Sequence, residues 1–488
     1  MAVTTKNAAR ARIPTARVGR RGSLVGGEQM SRADRVAKGK DARSLAPLQA
    51  HAQFAPDASR DPVGLLLEQA KTRVPELVPV RHGRMLVSPF TFFRGAALPM
   101  AVDLASTPTS GLRVQLCGDA HLSNFGAFAS PERRMVFDVN DFDETLPGPF
   151  EWDVKRLAAS LAVAGRDNGF PERACRKISA AGAKSYRKAM HEFARQSLLT
   201  VWYAHLDVED AIREFTSQVK KSGLKNVEKM LAKAHTHDSI QALSKLTTVV
   251  DGQRRIISQP PLIEPIEEAF PEQQAGAIQD EMRRMLSKYQ RTLQTDRRYL
   301  FDHFKLVHVA RKVVGVGSVG TRCWIALMDA GDGTEPLFLQ IKEAQVSVLA
   351  EHCGRSRFNN QGERVVAGQH LMQAESDIFL GWTHAETPDG VSHEFYIRQL
   401  KDWKFSAPIE QMAPAGLASY AELCGWTLAR AHARSGDRIA LAAYLGNSDK
   451  FDQAIAEFAE KYADQNGRDY AALQAAVKSG RAEASTNI

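Results

Sequence analysis

Residues 118–126 read Gly-Asp-Ala-His-Leu-Ser-Asn-Phe-Gly, and residues 138–144 read Asp-Val-Asn-Asp-Phe-Asp-Glu. Asp119, His121, Asn124, Asp138, Asp141 and Asp143 thus fall in one short stretch between apolar runs (Leu112, Val114 and Leu116; Met135, Val136 and Phe137). Carboxylates are rarely buried without a counter-charge or a metal. Such a concentration beside strand-like runs predicts a divalent cation site at strand ends. Mg²⁺ takes one or two protein carboxylates plus phosphate oxygens and water, so few ligands are needed. Asp119 fits a base that orients or accepts the proton of an attacking hydroxyl. Asn124 fits a metal-ligating amide. Asp141 fits the carboxylate that carries Mg²⁺ to phosphate oxygens, and Asp143 can supplement or replace it. His121, a lone histidine, reads first as a structural hydrogen-bonder. Asp138, inside its strand, reads as structural.

Two further groups supply what an anionic nucleotide needs. Gly315-x-Gly317-Ser318-x-Gly320 lies between two strand-like runs, with no helix start after it. That context excludes the strand-to-helix turn of a dinucleotide fold and suits a glycine-rich hairpin whose N–H groups approach phosphates. An ordinary flexible hairpin is the plainer alternative. Lys342 ends the next apolar strand, Leu337 to Ile341, where a phosphate-pairing lysine lies in kinases; a solvated edge lysine is the alternative. Its partner glutamate would come from the following helix. Glu363 is the candidate, with Glu343, Glu351 and Glu375 as rivals.

These groups must be positioned by recognisable elements. Val154, Leu157, Ala158 and Leu161 have helical spacing, with Asp153 where an N-cap belongs. Residues 171–305 are mostly helical in pattern, notably 209–234 and 276–304. From 306 the texture changes to β-branched and glycine-rich, predicting a hairpin and a third strand. A helix at 361–376, two strands within 377–400, and helices at 415–434 and 450–478 follow. Ser88-Pro89-Phe90-Thr91-Phe92-Phe93-Arg94-Gly95 supplies core aromatics, and Arg94 is either structural or an anion ligand. The expected division is a disordered basic tail and linker at 1–60 and a catalytic-loop and helical lobe at 61–305. A Gly-rich-loop β lobe at 306–405 follows, then helices at 406–488 that return to the helical lobe.

Composition narrows the class. At 44% hydrophobic and 25% charged, the 488 residues suit a soluble globular protein of two lobes or more. No apolar run approaches the ~18 residues of a membrane span. Residues 1–45 hold eleven Lys/Arg against three acids, an excess equal to the whole formal charge of +8. The remainder is neutral, so specific nucleic-acid binding is not indicated. Arg20-Arg21 is followed by Gly-Ser-Leu-Val-Gly-Gly rather than an apolar stretch, so no secretory signal is read. The five cysteines, Cys117, Cys175, Cys323, Cys353 and Cys424, are scattered without CxxC spacing. Reduced thiols in a cytoplasm fit them best.

Gly118 to Phe125 resembles the catalytic loop of aminoglycoside phosphotransferases and choline kinases, which often reads H-G-D-x-H-x-x-N. Val139-Asn140-Asp141-Phe142-Asp143 resembles their metal-binding segment. Trp152-Asp153-Val154 resembles their helix start, whose Asp braces the loop. Cys117 stands where many relatives have the first His. A fuller pattern over most of residues 60–480 resembles the bacterial domain-of-unknown-function 2252 family, whose relatives are grouped with kinase-like folds. It includes Ser88-Pro89-Phe90, Phe93-Arg94-Gly95, Gly118-Asp119-Ala120-His121, Asn140 to Thr145 and Arg364 to Gln369. The resemblance implies an α+β, two-lobed kinase-like fold. The order is displaced, because the catalytic loop precedes the Gly-rich loop and Lys342. Circular permutation accounts for this, and it requires Lys342 within ~15 Å of Asp141, since both must reach one triphosphate. The expected activity is transfer of phosphate from ATP, with Mg²⁺, to an unidentified small-molecule hydroxyl acceptor whose pocket is shaped by the lobe at 171–305. The alternatives are a catalytically silent nucleotide-binding regulatory protein and a metal-dependent phosphoesterase.

Overall fold

Hydrophobic periodicity changes along the chain, and the architecture changes with it. The computed structural model describes residues 30–209, 239–250, 252–331, 333–386, 390–400 and 403–485. The fold is α+β, with long helices and small antiparallel sheets.

The largest sheet has six strands, all antiparallel. In spatial order they are Gly381–Glu386, Ser392–Gln399, Pro336–Glu343, Cys323–Asp329, Lys305–Lys312 and Ile263–Pro265. The Gly-rich segment joins Lys305–Lys312 to Cys323–Asp329, so it is the tip of a hairpin, as the sequence predicts. The lysine strand Pro336–Glu343 is central and buried almost throughout. Helix Gln361–Met372 follows it, started by Asn360, whose side chain accepts from the Glu363 amide.

The helical body is built on Phe150–Asp167, Glu172–Arg195, Pro414–Ser435 and Lys450–Lys478. Phe150–Asp167 is buried on nearly every side, including its charged residues Glu151, Lys155 and Arg156. The core between these helices also takes in Leu116, Leu122, Phe125 and Val139, so the acidic loop sits on the helical body.

Three boundaries differ from expectation. The stretch 1–60, expected as a disordered tail, contains helix Arg32–Leu45 and a 3-10 turn at Leu48–Ala52. Ser31 and Asp34 form a reciprocal capping box, Arg35 pairs with Asp437 at 2.7 Å, and Arg43 donates to the Tyr444 carbonyl at 2.8 Å. Residues 1–29 lie outside the described residues. The helical pattern at 209–234 lies, from residue 210, outside them too.

Residues 239–301, placed with the helical lobe by pattern, pack against the large sheet instead. Helix Glu272–Gln290 buries Met282, Met285, Leu286 and Tyr289 against Val309, Met328, Leu339 and Ile397. Ser239–Leu246 and the short hairpin Thr247–Val250/Gln253–Ile256 cover the sheet through Ala242, Leu246 and Ile256. The third difference is at Asp153. The helix starts at Phe150 after Pro149, so Asp153 lies within the first turn and its carboxylate is free to bond elsewhere.

Candidate functional site

The acidic loop is shaped before it is charged. Strand Arg113–Leu116 pairs with Leu146–Pro149, and Phe125–Ala129 pairs with Met135–Val139. Two short ladders therefore present residues 117–124 and 140–145 side by side. At the first bend Gly118 has φ +86°, and a Cβ there would lie 2.3 Å from the Glu144 carbonyl oxygen. Only glycine permits that backbone and that approach. Asp153 braces the same bend, accepting from the Cys117 amide at 2.8 Å and the Gly118 amide at 3.0 Å. His432, on Pro414–Ser435, holds Asp153 from behind at 3.2 Å and meets the Tyr186 hydroxyl at 2.9 Å.

Asp119 is gripped through one oxygen. Arg156 Nε donates to its Oδ1 at 2.8 Å and Nη2 lies 2.7 Å from the same atom. Arg156 is itself fixed by the Phe93 carbonyl at 2.8 Å and stacks over the Phe93 ring at 3.9 Å. Oδ2 of Asp119 lies 3.6 Å from His121 Nε2, beyond a hydrogen bond. Burial pushes the Asp119 carboxyl above the ordinary range against the pull of Arg156. Burial holds the His121 imidazole well below its ordinary value, so it is neutral and does not act as a counter-charge. The side-chain amide of Asn124 donates to the Asp119 carbonyl at 2.8 Å, which frees its Oδ1 to accept or to ligate.

The Gly-rich hairpin and the lysine strand close over this loop. Lys342 Nζ donates to Asp143 Oδ2 at 2.7 Å and lies 3.8 Å from Asp141 Oδ2. Tyr396, paired with Lys342 across the neighbouring strand, donates its hydroxyl to Asp143 Oδ1 at 2.6 Å. Ser318 in the hairpin tip donates to Asp143 Oδ2 at 3.3 Å. Burial would raise Asp143, but Lys342 and Tyr396 outweigh it and hold its carboxyl below the ordinary range. Burial and the adjacent Asp143 charge push Asp141 above it. Burial would lower Lys342, but the two carboxylates keep its ammonium well above the ordinary lysine range.

Arg364 fastens the two halves. It donates to the carbonyls of Asp143 at 2.9 Å, Thr145 at 2.8 Å and Gln345 at 2.8 Å. Glu144 accepts from the Val348 amide at 2.7 Å, and burial raises its carboxyl to about 7.

Between the halves lies a cavity of about 920 Å³. Asp119, His121, Asn124, Asp141, Asp143, Gly315, Gly317 and Ser318 line it, so most of the sequence-derived site is brought together. Gly320 is outside that lining; its carbonyl accepts from the Val74 amide at 2.8 Å, and Cys323 begins the next strand soon after. Glu363 is not brought to Lys342. Among the described residues the ion pairs of Lys342 are with Asp141 and Asp143. Of the rivals, Glu343 pairs with Arg322 at 3.4 Å and His393 at 2.9 Å. The lobe at 171–305, expected to shape an acceptor pocket, contributes nothing to the lining among the described residues. Residues 68–98 take that place, through Thr72, Arg73, Arg81, Arg94 and Leu98 among others.

Among the described residues no group of three or more His, Cys, Asp or Glu side chains is disposed to hold a metal. Asp141 and Asp143, with the Asn124 amide nearby, offer the two-carboxylate set that suits a cation bringing its own anionic ligands. None of the described helices is long and apolar enough to cross a membrane.

Sequence reasoning gives no role to Arg156, Tyr396, Arg364 or Glu144, although the family pattern includes Arg364 and Glu144. Arg156 carried a signal, a basic residue three positions after Asp153, between the helical core positions Val154 and Leu157.

The acidic loop, bracing aspartate and lysine strand define a protein whose polar cavity is lined from two separate stretches, 68–144 and 315–394. Residues 73–476 match the model of a family described as an uncharacterized protein conserved in bacteria (DUF2252), and the chain belongs to that family. No curated protein and no solved structure matches the chain.

Proposed function

We propose that the protein is a phosphotransferase that uses Mg²⁺ and ATP to phosphorylate a hydroxyl group of a small molecule. The observation that carries this reading is the 2.7 Å bond from Lys342 to Asp143, with Asp141 at 3.8 Å, between segments 199 residues apart. A lysine from the strand after a Gly-rich hairpin and a pair of carboxylates at the foot of an adjacent loop are the two halves of a nucleotide-phosphate site. Lys342 and Asp141, 3.8 Å apart, lie within the ~15 Å that a shared triphosphate requires.

A kinase-like arrangement with permuted order is supported by the path of the chain. The sheet runs hairpin, lysine strand, helix and two further strands. Helix Pro414–Ser435 then ends beside the strand that leads into the acidic loop. The Ser435 hydroxyl accepts from the Gln115 amide at 3.2 Å, and a Cβ on Gly436 would lie 2.6 Å from Val114. In an unpermuted chain this helix would run directly into that strand.

Within this reading each residue has a task. Asp141 and Asp143, with Asn124, would hold Mg²⁺, which neutralises charge on the phosphates. Lys342 and the N–H groups of the hairpin tip position the nucleotide, and Ser318 steadies Asp143. Asp119 Oδ2, the oxygen not held by Arg156, accepts the proton of the acceptor hydroxyl. The acceptor oxygen bonds to the terminal phosphorus while the bond to the bridging oxygen breaks, and ADP leaves.

The test is ADP release from Mg²⁺ and ATP over a panel of hydroxyl compounds. One acceptor class should accelerate release. Asp119→Asn should cut that rate by roughly 10²–10⁴-fold with nucleotide affinity kept. An unchanged rate in Asp119→Asn would remove the assigned base.

A further inference from the structure

Arg73, Arg81 and Arg94 line the same cavity as Asp119, from the segment that precedes the acidic loop. Arg81 lies on helix Val78–Met85 and is 1% exposed. Its Nη2 donates to the Gln69 side chain at 2.7 Å and the Gly95 carbonyl at 2.9 Å, but Nε and Nη1 have no partner. Arg73 is 7% exposed; Nη1 donates to the Val319 carbonyl, and Nε has no partner. Arg94, at the end of helix Pro89–Gly95, also leaves Nε without a partner. Among the described residues none of the three forms an ion pair.

A buried guanidinium with idle N–H groups is costly, and neighbouring like charges raise the cost. Among the described residues no acid lining the cavity forms an ion pair with them. Asp119 is taken by Arg156, Asp143 by Lys342, and Glu343 by Arg322 and His393. A surplus of planar, buried donors facing a polar cavity is the arrangement that recognises phosphate or carboxylate.

We propose that Arg73, Arg81 and Arg94 form a second anion subsite. It takes a phosphate or carboxylate group carried by the molecule that presents its hydroxyl to Asp119. The acceptor is therefore an anionic hydroxyl compound, a class that includes phosphorylated polyols and hydroxy acids. The word acceptor rests on the phosphotransferase reading; the anion subsite rests on the arginines alone. The subsite also explains why residues 68–98, rather than the long insert, line the cavity.

The experiment is calorimetric titration of the full chain with inorganic phosphate, at matched ionic strength in chloride, with and without saturating Mg²⁺ and ADP. Phosphate should bind in both conditions. Arg94→Gln and Arg73→Gln should each weaken it by about tenfold or more, since charge-assisted hydrogen bonds are lost. Arg94 is only half-buried, so its variant keeps the test available if Arg81→Met or Arg73→Gln fails to fold.

Absence of phosphate binding overturns the subsite, as does wild-type phosphate affinity in the folded arginine variants. Displacement of phosphate by ADP also overturns it, because the arginines would then serve the nucleotide. Arginine-dependent phosphate binding without any ADP binding upholds the subsite and removes the phosphotransferase reading. ADP binding without phosphate binding does the reverse.

Discussion

Asp138 and the pair Asp141/Asp143 lie within one short segment, yet the structure treats them in opposite ways. Asp138 is 2% exposed and is met through both oxygens by Arg430 Nη2 at 2.6 Å, with the Ala374 amide on Oδ2 at 3.0 Å. Its bonds are complete and it does not line the site cavity. Asp141 and Asp143 keep 29% and 27% of their side chains exposed, share one lysine and face open space. Both regions neutralise acid with base. Only the second leaves lone pairs that a ligand could use. Carboxylate density pointed to the segment; access divides it into a strut and a site.

Removing one partner of each pair should separate the two regions. Arg430→Met strands Asp138 in the core and should lower unfolding free energy by about 3–5 kcal/mol, read from the denaturant midpoint. A loss near zero would mean that Asp138 is no strut.

Asp141→Asn should behave oppositely. It relieves repulsion from Asp143, so stability should stay within about 1 kcal/mol of wild type or rise. The comparison breaks if Asp141→Asn destabilises the fold as much as Arg430→Met does.

The smallest expected effect concerns Glu144, which closes the acidic segment. Its carboxyl is raised from 4.5 to about 7, chiefly by burial, so the native state binds that proton more tightly than the unfolded chain. The associated stability is present below about pH 4.5 and is lost as pH rises through about 7. Glu144→Gln should flatten the dependence of stability on pH in that window. An unaltered slope would show that Glu144 titrates normally.

Much of this was legible from local pattern. The Gly-rich hairpin, the lysine strand, the helix after it and the terminal helix Lys450–Lys478 follow from periodicity and turn residues. The acidic cluster was legible because six polar groups fall together in sequence. What the residues could not show was contact over distance. Tyr396 reads as a strand aromatic until its strand pairs with that of Lys342. Nothing local marks Arg81 as buried; helix Val78–Met85 is covered by the terminal segment, where the Ser485 carbonyl oxygen would lie 1.7 Å from a Cβ on Gly83. Glu363 was chosen by its place in the helix after Lys342, but the nearer acids of the loop took the lysine. At 30–52 composition misled, because basic residues that suggest disorder bond instead to carbonyls and acids of the body. The Ser31/Asp34 capping pair was the available signal.

Under the proposed function, Asp141 and Lys342 serve one nucleotide. Calorimetric titration of Mg²⁺ with ATP into the wild type, Asp141→Asn and Lys342→Met tests it most directly. The expected result is Mg²⁺-dependent binding to the wild type and a loss of about tenfold or more in each folded variant. No binding to the wild type, or equal binding to all three, would contradict it.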